Sequence, residues 1–168
     1  MKSMSIWNPF ASLIVKGFKL YETRTWAAPK SLIGQRIGIA STKCIQPGQR
    51  AHFDDPEFQR FYERLGLPDK LTDMPNGYML GSAILEGVEL MTPEFMAEVS
   101  DEEQAYGWWQ EGFYAWRMTD PVEFEKPVQV KGAQGIWNWS APDGIEAKGR
   151  QAPHPSQSAD LRWGVRPA

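Results

Sequence analysis

Apolar positions along this chain fall in short groups punctuated by turn residues, not in long periodic runs. Residues 3–7 read as a first strand. Pro9 then opens a helix whose Phe10, Leu13 and Ile14, spaced i, i+3, i+4, form one buried stripe. Gly17 can take a positive φ and ends that helix. A strand over 20–26 follows. Alternation places Glu22, Arg24 and Trp26 on one of its faces and Tyr21, Thr23 and Thr25 on the other, with Lys19 at its mouth. Residues 36–42 alternate as a buried strand around Ile37 and Ile39, and Ser41, Thr42 and Lys43 close it with polar groups that can converge on the same mouth. The character changes at Gln46. Asp54-Asp55-Pro56 then caps an amphipathic helix bearing Phe58, Phe61, Tyr62 and Leu65, up to Gly66. Residues 77–90 make the longest strand, with a bulge or bend at Gly81. Thr92 and Ser100 cap two more short helices, the second ended by Gly107-Trp108-Trp109. A strand over 113–118 follows; Pro121 and Pro127 then bracket 122–126, and residues 127–130 precede the turn from Gly132 to Gly135 that leads into 136–139.

Short strands in this number, with a few helices between them, predict an α+β fold built on a small closed or nearly closed β-barrel over residues 1–139. Residues 140–168 are rich in Pro, Ala, Ser and Gly and lack a periodic apolar pattern. They predict an extended C-terminal tail on which Leu161 and Trp163 are the candidates to dock. A chain of 168 residues can bury one core without disulfides or metals. The single cysteine, Cys44, suits a reducing compartment; no long apolar run and no apolar N-terminal stretch occur, so the expectation is a cytoplasmic protein with no membrane partner.

Net charge is −3, but its distribution says more than its sum. Residues 1–50 carry eight Lys or Arg against the single acid Glu22, whereas residues 51–168 carry ten against twenty. A basic lobe holding the charged strand attracts phosphate or another anion; alternatively, the two lobes only complement one another within the fold. Eight tryptophans are many for this length. Most belong in a core, and one or two can face a cleft and stack on a base.

Several chemistries lack their residues. His52, His154 and Cys44 have no ligand spacing, so no metal is expected. There is no glycine-rich phosphate loop, hence no expected cofactor, and no nucleophile elbow or histidine triad. What remains is a lysine–glutamate pair, Lys19 and Glu22, as the candidate catalytic residues. A lysine in a dry pocket can act as a base with a carboxylate to orient it. Candidate ligand-binding residues are Arg24, Ser41 and Lys43 for an anion or carbonyl, and Trp7, Tyr114 and Trp116 as aromatic walls. The same charges would also serve as a structural ion pair pinning the strand.

The stretch Gly17-Phe18-Lys19-Leu20-Tyr21-Glu22-Thr23-Arg24 follows Trp7-Asn8-Pro9-Phe10-Ala11-Ser12-Leu13. Together these read as Gly-x-Lys-x-x-Glu-x-Arg after a Trp-x-Pro-x-Ala-x-Leu-like segment. This pattern resembles the ASCH domain, named for activating signal cointegrator homology and related to the PUA domains of RNA-modifying enzymes. The resemblance runs on through residues 37–43 and, more weakly, through 77–90 and 112–139. It implies a PUA-like barrel and RNA binding, and for some members an amidohydrolase acting on N4-acylated cytidine or a ribonuclease. Amidohydrolase relatives place a threonine nucleophile three residues after the motif lysine. Glu22 stands there in this chain, so that mechanism does not transfer intact; Thr23, Thr25 or Ser41 are the substitutes at hand, with Glu86 or Glu89 as a second acid.

The sequence thus predicts a protein that binds RNA or a modified nucleoside in a cationic, aromatic-walled cleft around Lys19, Glu22 and Arg24. The alternatives are a metal-independent hydrolase on RNA or N4-acylated cytidine, and a protein-interaction module using Trp108 and Trp109.

Overall fold

A computed structural model describes residues 1–149. Strands β1 (Lys2–Ile6), β2 (Tyr21–Arg24), β3 (Arg36–Ser41), β4 (Tyr78–Leu90), β5 (Tyr114–Gln129) and β6 (Ile136–Asn138) form one mixed sheet in the order β2-β5-β4-β3-β1-β6. Only β1 and β3 run parallel; the other neighbours are antiparallel. The sheet curls into a half-barrel. Its free edges are β2 and β6, and Arg24 on β2 reaches across to donate to the Ser5 carbonyl of β1 at 3.3 Å.

The curl comes from bulges in the long β4–β5 pair, whose register shifts between Met79 and Gly81, Ser82 and Ile84, and Leu85 and Gly87. Gly81 is required at the first of these. A Cβ there would lie 2.0 Å from the Val122 carbonyl oxygen. The strand expected over 113–118 is longer than its pattern shows, and β5 continues through both Pro121 and Pro127. The prolines fall where β5 loops out of register, between partners Thr119 and Val122 and between Glu123 and Val128, so neither missing N–H breaks a ladder bond.

Helix α1 (Phe10–Val15) lies inside the curl with all six residues buried, not along a single stripe. It packs on β3, β4 and β5 at the centre of the main core. Pro47 and a reciprocal Gln46–Gln49 cap start α2 (Pro47–Asp54), a helix that the sequence pattern alone did not reveal. Helix α3 (Pro56–Tyr62) carries the expected aromatic stripe inward, and α4 (Pro93–Glu98) and α5 (Asp101–Ala105) start at Thr92 and Ser100, whose side chains accept from Phe95 N and Glu103 N at 3.1 Å each. Buried Asn8 ties several of these parts together. Its amide donates to Pro75 O and Asn76 Oδ1, its Oδ1 accepts from Ser12, and its carbonyl accepts from Gln49 Nε2 at 2.7 Å.

Residues 140–149 are not free of the domain. Ala147 bridges Phe124, Glu125 N and Lys148 N bond to Glu146 O and Glu123 O at 2.7 Å, and Ile145 packs on the cluster of Ala40, Met79, Phe124 and Trp139. Leu161 and Trp163 lie outside the described residues. A chain ending at residue 139 is therefore expected to unfold cooperatively but about 2 kcal/mol less stably than one ending at 149, from lost burial of Ile145 and two backbone hydrogen bonds. Denaturant melts of the two truncations check this, and equal midpoints would show that the segment contributes nothing.

Candidate functional site

The site begins where α1 ends. Gly17 sits at φ +81°, and the bonds Gly17 N to Ile14 O (3.0 Å) and Phe18 N to Leu13 O (2.8 Å) close the helix in a Schellman turn. The turn sends the chain directly into β2 and leaves Lys19 beneath α1, 2 % exposed. Its Nζ has no hydrogen-bond partner among the described residues. The start of β2 is held by Glu103 of α5, whose buried carboxylate accepts from Leu20 N at 3.1 Å and from Tyr21 N at 2.8 Å.

Burial governs the titration of this centre. Desolvation pushes Lys19 below its ordinary value, against the opposing pull of Glu103 and Glu22, with Arg24 adding to the depression. Desolvation likewise raises Glu103, although Lys19 and the two backbone N–H groups favour its anion. Both groups move toward their neutral forms. Glu22 and Arg24 share one face of β2, as alternation requires, with Arg24 Nε 3.0 Å from Glu22 Oε1. Gly107, at the end of α5, completes the enclosure. A Cβ there would stand 3.3 Å from Lys19 Nζ and 2.9 Å from both Thr23 Cγ2 and Trp109 Nε1, so only glycine lets α5 settle this closely on the lysine.

A cleft of about 1110 Å³ opens beside this centre, where the half-barrel fails to close between β2 and the end of β1. Lys19, Arg24, Lys43 and Lys131 line it against one carboxylate, Glu22, and Trp7, Trp26 and Trp108 supply aromatic surface over the buried Phe10 and Tyr106. His52 lies in the same wall. Its ring bonds the Ala105 carbonyl at 2.8 Å, and since a carbonyl can only accept, that Nε2 carries the proton. Burial lowers its pKa, the nearby Lys19 adds to the effect, and His52 is neutral at pH 7. Tyr106 donates its hydroxyl to Glu102 Oε1 at 2.8 Å, and burial followed by that bond raises its pKa.

Of the residues singled out from sequence, Trp7, Lys19, Glu22, Arg24, Ser41 and Lys43 all line the cleft. Tyr114 and Trp116 do not. Trp116 is 0 % exposed, a core residue whose indole N–H donates to Trp26 O at 3.1 Å; Tyr114 faces Arg24 across the β2–β5 ladder and packs on the core. Thr23, assigned by alternation to the far side, lines the cleft as well, because β2 is a short edge strand and the chain after α5 folds over it, with Trp108 N donating to Thr23 Oγ1 at 3.0 Å. Ser41 spends its proton on Pro75 O and accepts from Tyr78 N, which makes it a poor nucleophile. Thr42 Oγ1, by contrast, is buried without a hydrogen-bond partner. Glu86 points away to Arg117 at 3.4 Å, and neither it nor Glu89 lines the cleft.

The acid that the sequence reading missed is Glu103. Ser100-Asp101-Glu102-Glu103 has capping-box spacing, in which the third helical residue ordinarily bends back to its own N-cap. Here it reaches β2 instead, and spacing alone carries no sign of that. Among the described residues, no group of three or more His, Cys, Asp or Glu is placed to hold a metal ion, and no helix is long and apolar enough to cross a membrane.

Two outcomes test the centre. Lys19→Met is expected to leave stability at pH 7 within about 1 kcal/mol of the parent or to raise it, since it replaces an unpaired buried amine by an apolar chain of similar length. Because the folded lysine titrates below 10.5, the unfolded chain binds more protons between the two values, so its contribution makes stability rise with pH across that window. The Met variant loses that rise relative to the parent in paired pH-dependent melts; a large loss of stability instead would mark Lys19 as a structural ion. Glu103→Ala is expected to cost about 1–3 kcal/mol by orphaning two buried N–H groups, read by the same melts, with an unchanged midpoint as the contrary result.

No curated protein matches the chain significantly. Among solved structures, the crystal structure of ASCH from Zymomonas mobilis is similar at 17 % identity, covering 96 % of this chain and 93 % of that one with a TM-score of 0.49. Two single-residue mutants of that protein match at the same identity, with TM-scores of 0.48 and 0.47. The sequence model of the ASCH domain matches residues 4–128, more than half of the chain, and the chain therefore belongs to the ASCH domain family.

Proposed function

We propose that this protein binds RNA or a modified nucleoside in the cleft beside Lys19. The observation that carries the reading is the imbalance of the walls: three cations, Arg24, Lys43 and Lys131, against one carboxylate, with Trp7 and Trp26 among the lining aromatics. Cations on a concave surface concentrate polyanions, and aromatic faces accept bases of any sequence. Arg24 is suited to phosphate through whatever donors Glu22 leaves it, while Lys43 and Lys131 are exposed on other walls of the cleft.

A second reading, hydrolysis of RNA or of N4-acylated cytidine, is favoured by the desolvated, unpartnered Lys19 amine between two carboxylates. Such an amine can take a proton from a nucleophile and return it to a leaving group. Glu22 occupies the position where a threonine nucleophile would stand. The attacking group in this reading is thus water or the unpartnered Thr42 hydroxyl.

Fluorescence anisotropy with a labelled single-stranded RNA between 50 and 300 mM salt separates the outcomes. If Arg24, Lys43 and Lys131 each hold a phosphate, log K should fall against log salt with a slope of about −2, and Arg24→Ala or Lys131→Ala should each reduce it by about 0.7. Absence of saturable binding to RNA and to cytidine derivatives would overturn the reading. Release of product from RNA or N4-acetylcytidine, lost in Lys19→Ala, would instead establish the hydrolase.

A further inference from the structure

We infer that Trp26 and Trp108 are paired stacking platforms, and that the cleft takes a single-stranded nucleic acid several nucleotides long in preference to a lone nucleoside. The inference rests on the nucleic-acid reading of the cleft and assigns the two residues that set ligand length.

Trp26 is 38 % exposed and Trp108 67 %, and both line the cleft. Rings of this size are costly to leave in water, and neither is a loose surface residue. Trp26 stands edge-on to the buried Trp116, with ring centroids 4.8 Å apart and planes at 88°, and its carbonyl accepts the Trp116 indole N–H. Trp108 leans on Phe113 at 6.0 Å, and its backbone N–H is anchored to Thr23 Oγ1. Both are thus held from β2, one beyond its C-terminal end and one through its third residue. Side chains braced before binding lose little rotamer freedom when a base stacks on them.

The surroundings specify a strand. The cleft volume, about 1110 Å³, is at the upper limit of what a single small ligand fills. Lys43 and Lys131 lie along other walls for backbone phosphates. On its other side Trp108 borders a shallower groove lined by Asp55, Glu57 and Asp101, whose carboxylates repel phosphate. Trp108 therefore stands on a ridge between a cationic and an acidic surface, and a polyanion is steered to the cationic side. The wall aromatics named from sequence, Tyr114 and Trp116, do not reach the cleft; Trp116 acts through Trp26 as its brace.

The test measures affinities for AMP, triadenylate, hexaadenylate and a twelve-base-pair RNA duplex at one salt concentration, with melting temperatures recorded for every variant. The hexamer is expected to bind more tightly than the mononucleotide or the duplex. Trp26→Ala and Trp108→Ala should each weaken hexamer binding about 5- to 150-fold while leaving the melting temperature near the parent's, and Trp108→Phe should restore most of the loss. Hexamer binding no tighter than that of AMP, or alanine variants that are folded and bind the hexamer like the parent, would overturn the inference while leaving a nucleotide site in place. No saturable binding at any length would remove the nucleic-acid reading and this inference together. A Trp108 that serves only a protein partner would give the second result.

Discussion

The grip of the Glu103 carboxylate on the backbone N–H groups of Leu20 and Tyr21 is the interaction on which the rest of this site depends. Strand β2 is four residues long and lies at the edge of the sheet, laddered among the described residues only to β5. An edge strand this short, entered through a tight turn, has little of its own to set its position. Glu103 supplies that position from α5, and in doing so draws α5 and Gly107 down over Lys19. One carboxylate therefore places the strand, buries the lysine and closes one wall of the cleft.

Burial then creates the chemistry. In water, a lysine three residues before a Glu and five before an Arg would simply be a solvated cation. Enclosed beside α5 and β2, its amine has no hydrogen bond among the described residues and is pushed toward neutrality, while the Glu103 carboxylate is pushed toward its acid. An unpaired buried amine subtracts from stability. The fold tolerates it because α1 is buried on every side and the core around it is continuous from Met4 to Met118. The unclosed side of the half-barrel supplies the other requirement, since a fully closed barrel would leave no gap between β2 and β1 for a ligand to enter.

Much of this was legible in the residues. The order of strands and helices follows from turn residues and caps: Gly17 ends α1 because only glycine adopts its φ cheaply, and Thr92 and Ser100 start α4 and α5 because their hydroxyls take the free N–H groups. Glu22 and Arg24 share a face because strand side chains alternate with period two. Lys19, Glu22 and Arg24, with Trp7, Ser41 and Lys43, converge on one cleft because the short connections leave those chain segments few places to go. These are local rules, and local sequence carries them.

What the sequence by itself determined about this protein is its element order, its basic N-terminal lobe and the charged strand at its centre. Tertiary structure alone decided which groups complete that centre. Glu103 is separated from Lys19 by 84 positions, and no periodicity shows that its carboxylate spans to β2 instead of capping its own helix. Trp116 and Trp26 sit in similarly apolar segments, yet one is sealed in the core and the other braced at the cleft, because the bulges of β4 and β5 set how far the sheet curls. Nor does the composition of residues 140–149 reveal that they return to β5, since two backbone bonds and one isoleucine suffice to hold them. Long-range pairing depends on surfaces that exist only once the chain has folded, and that is why these features are absent from any local pattern.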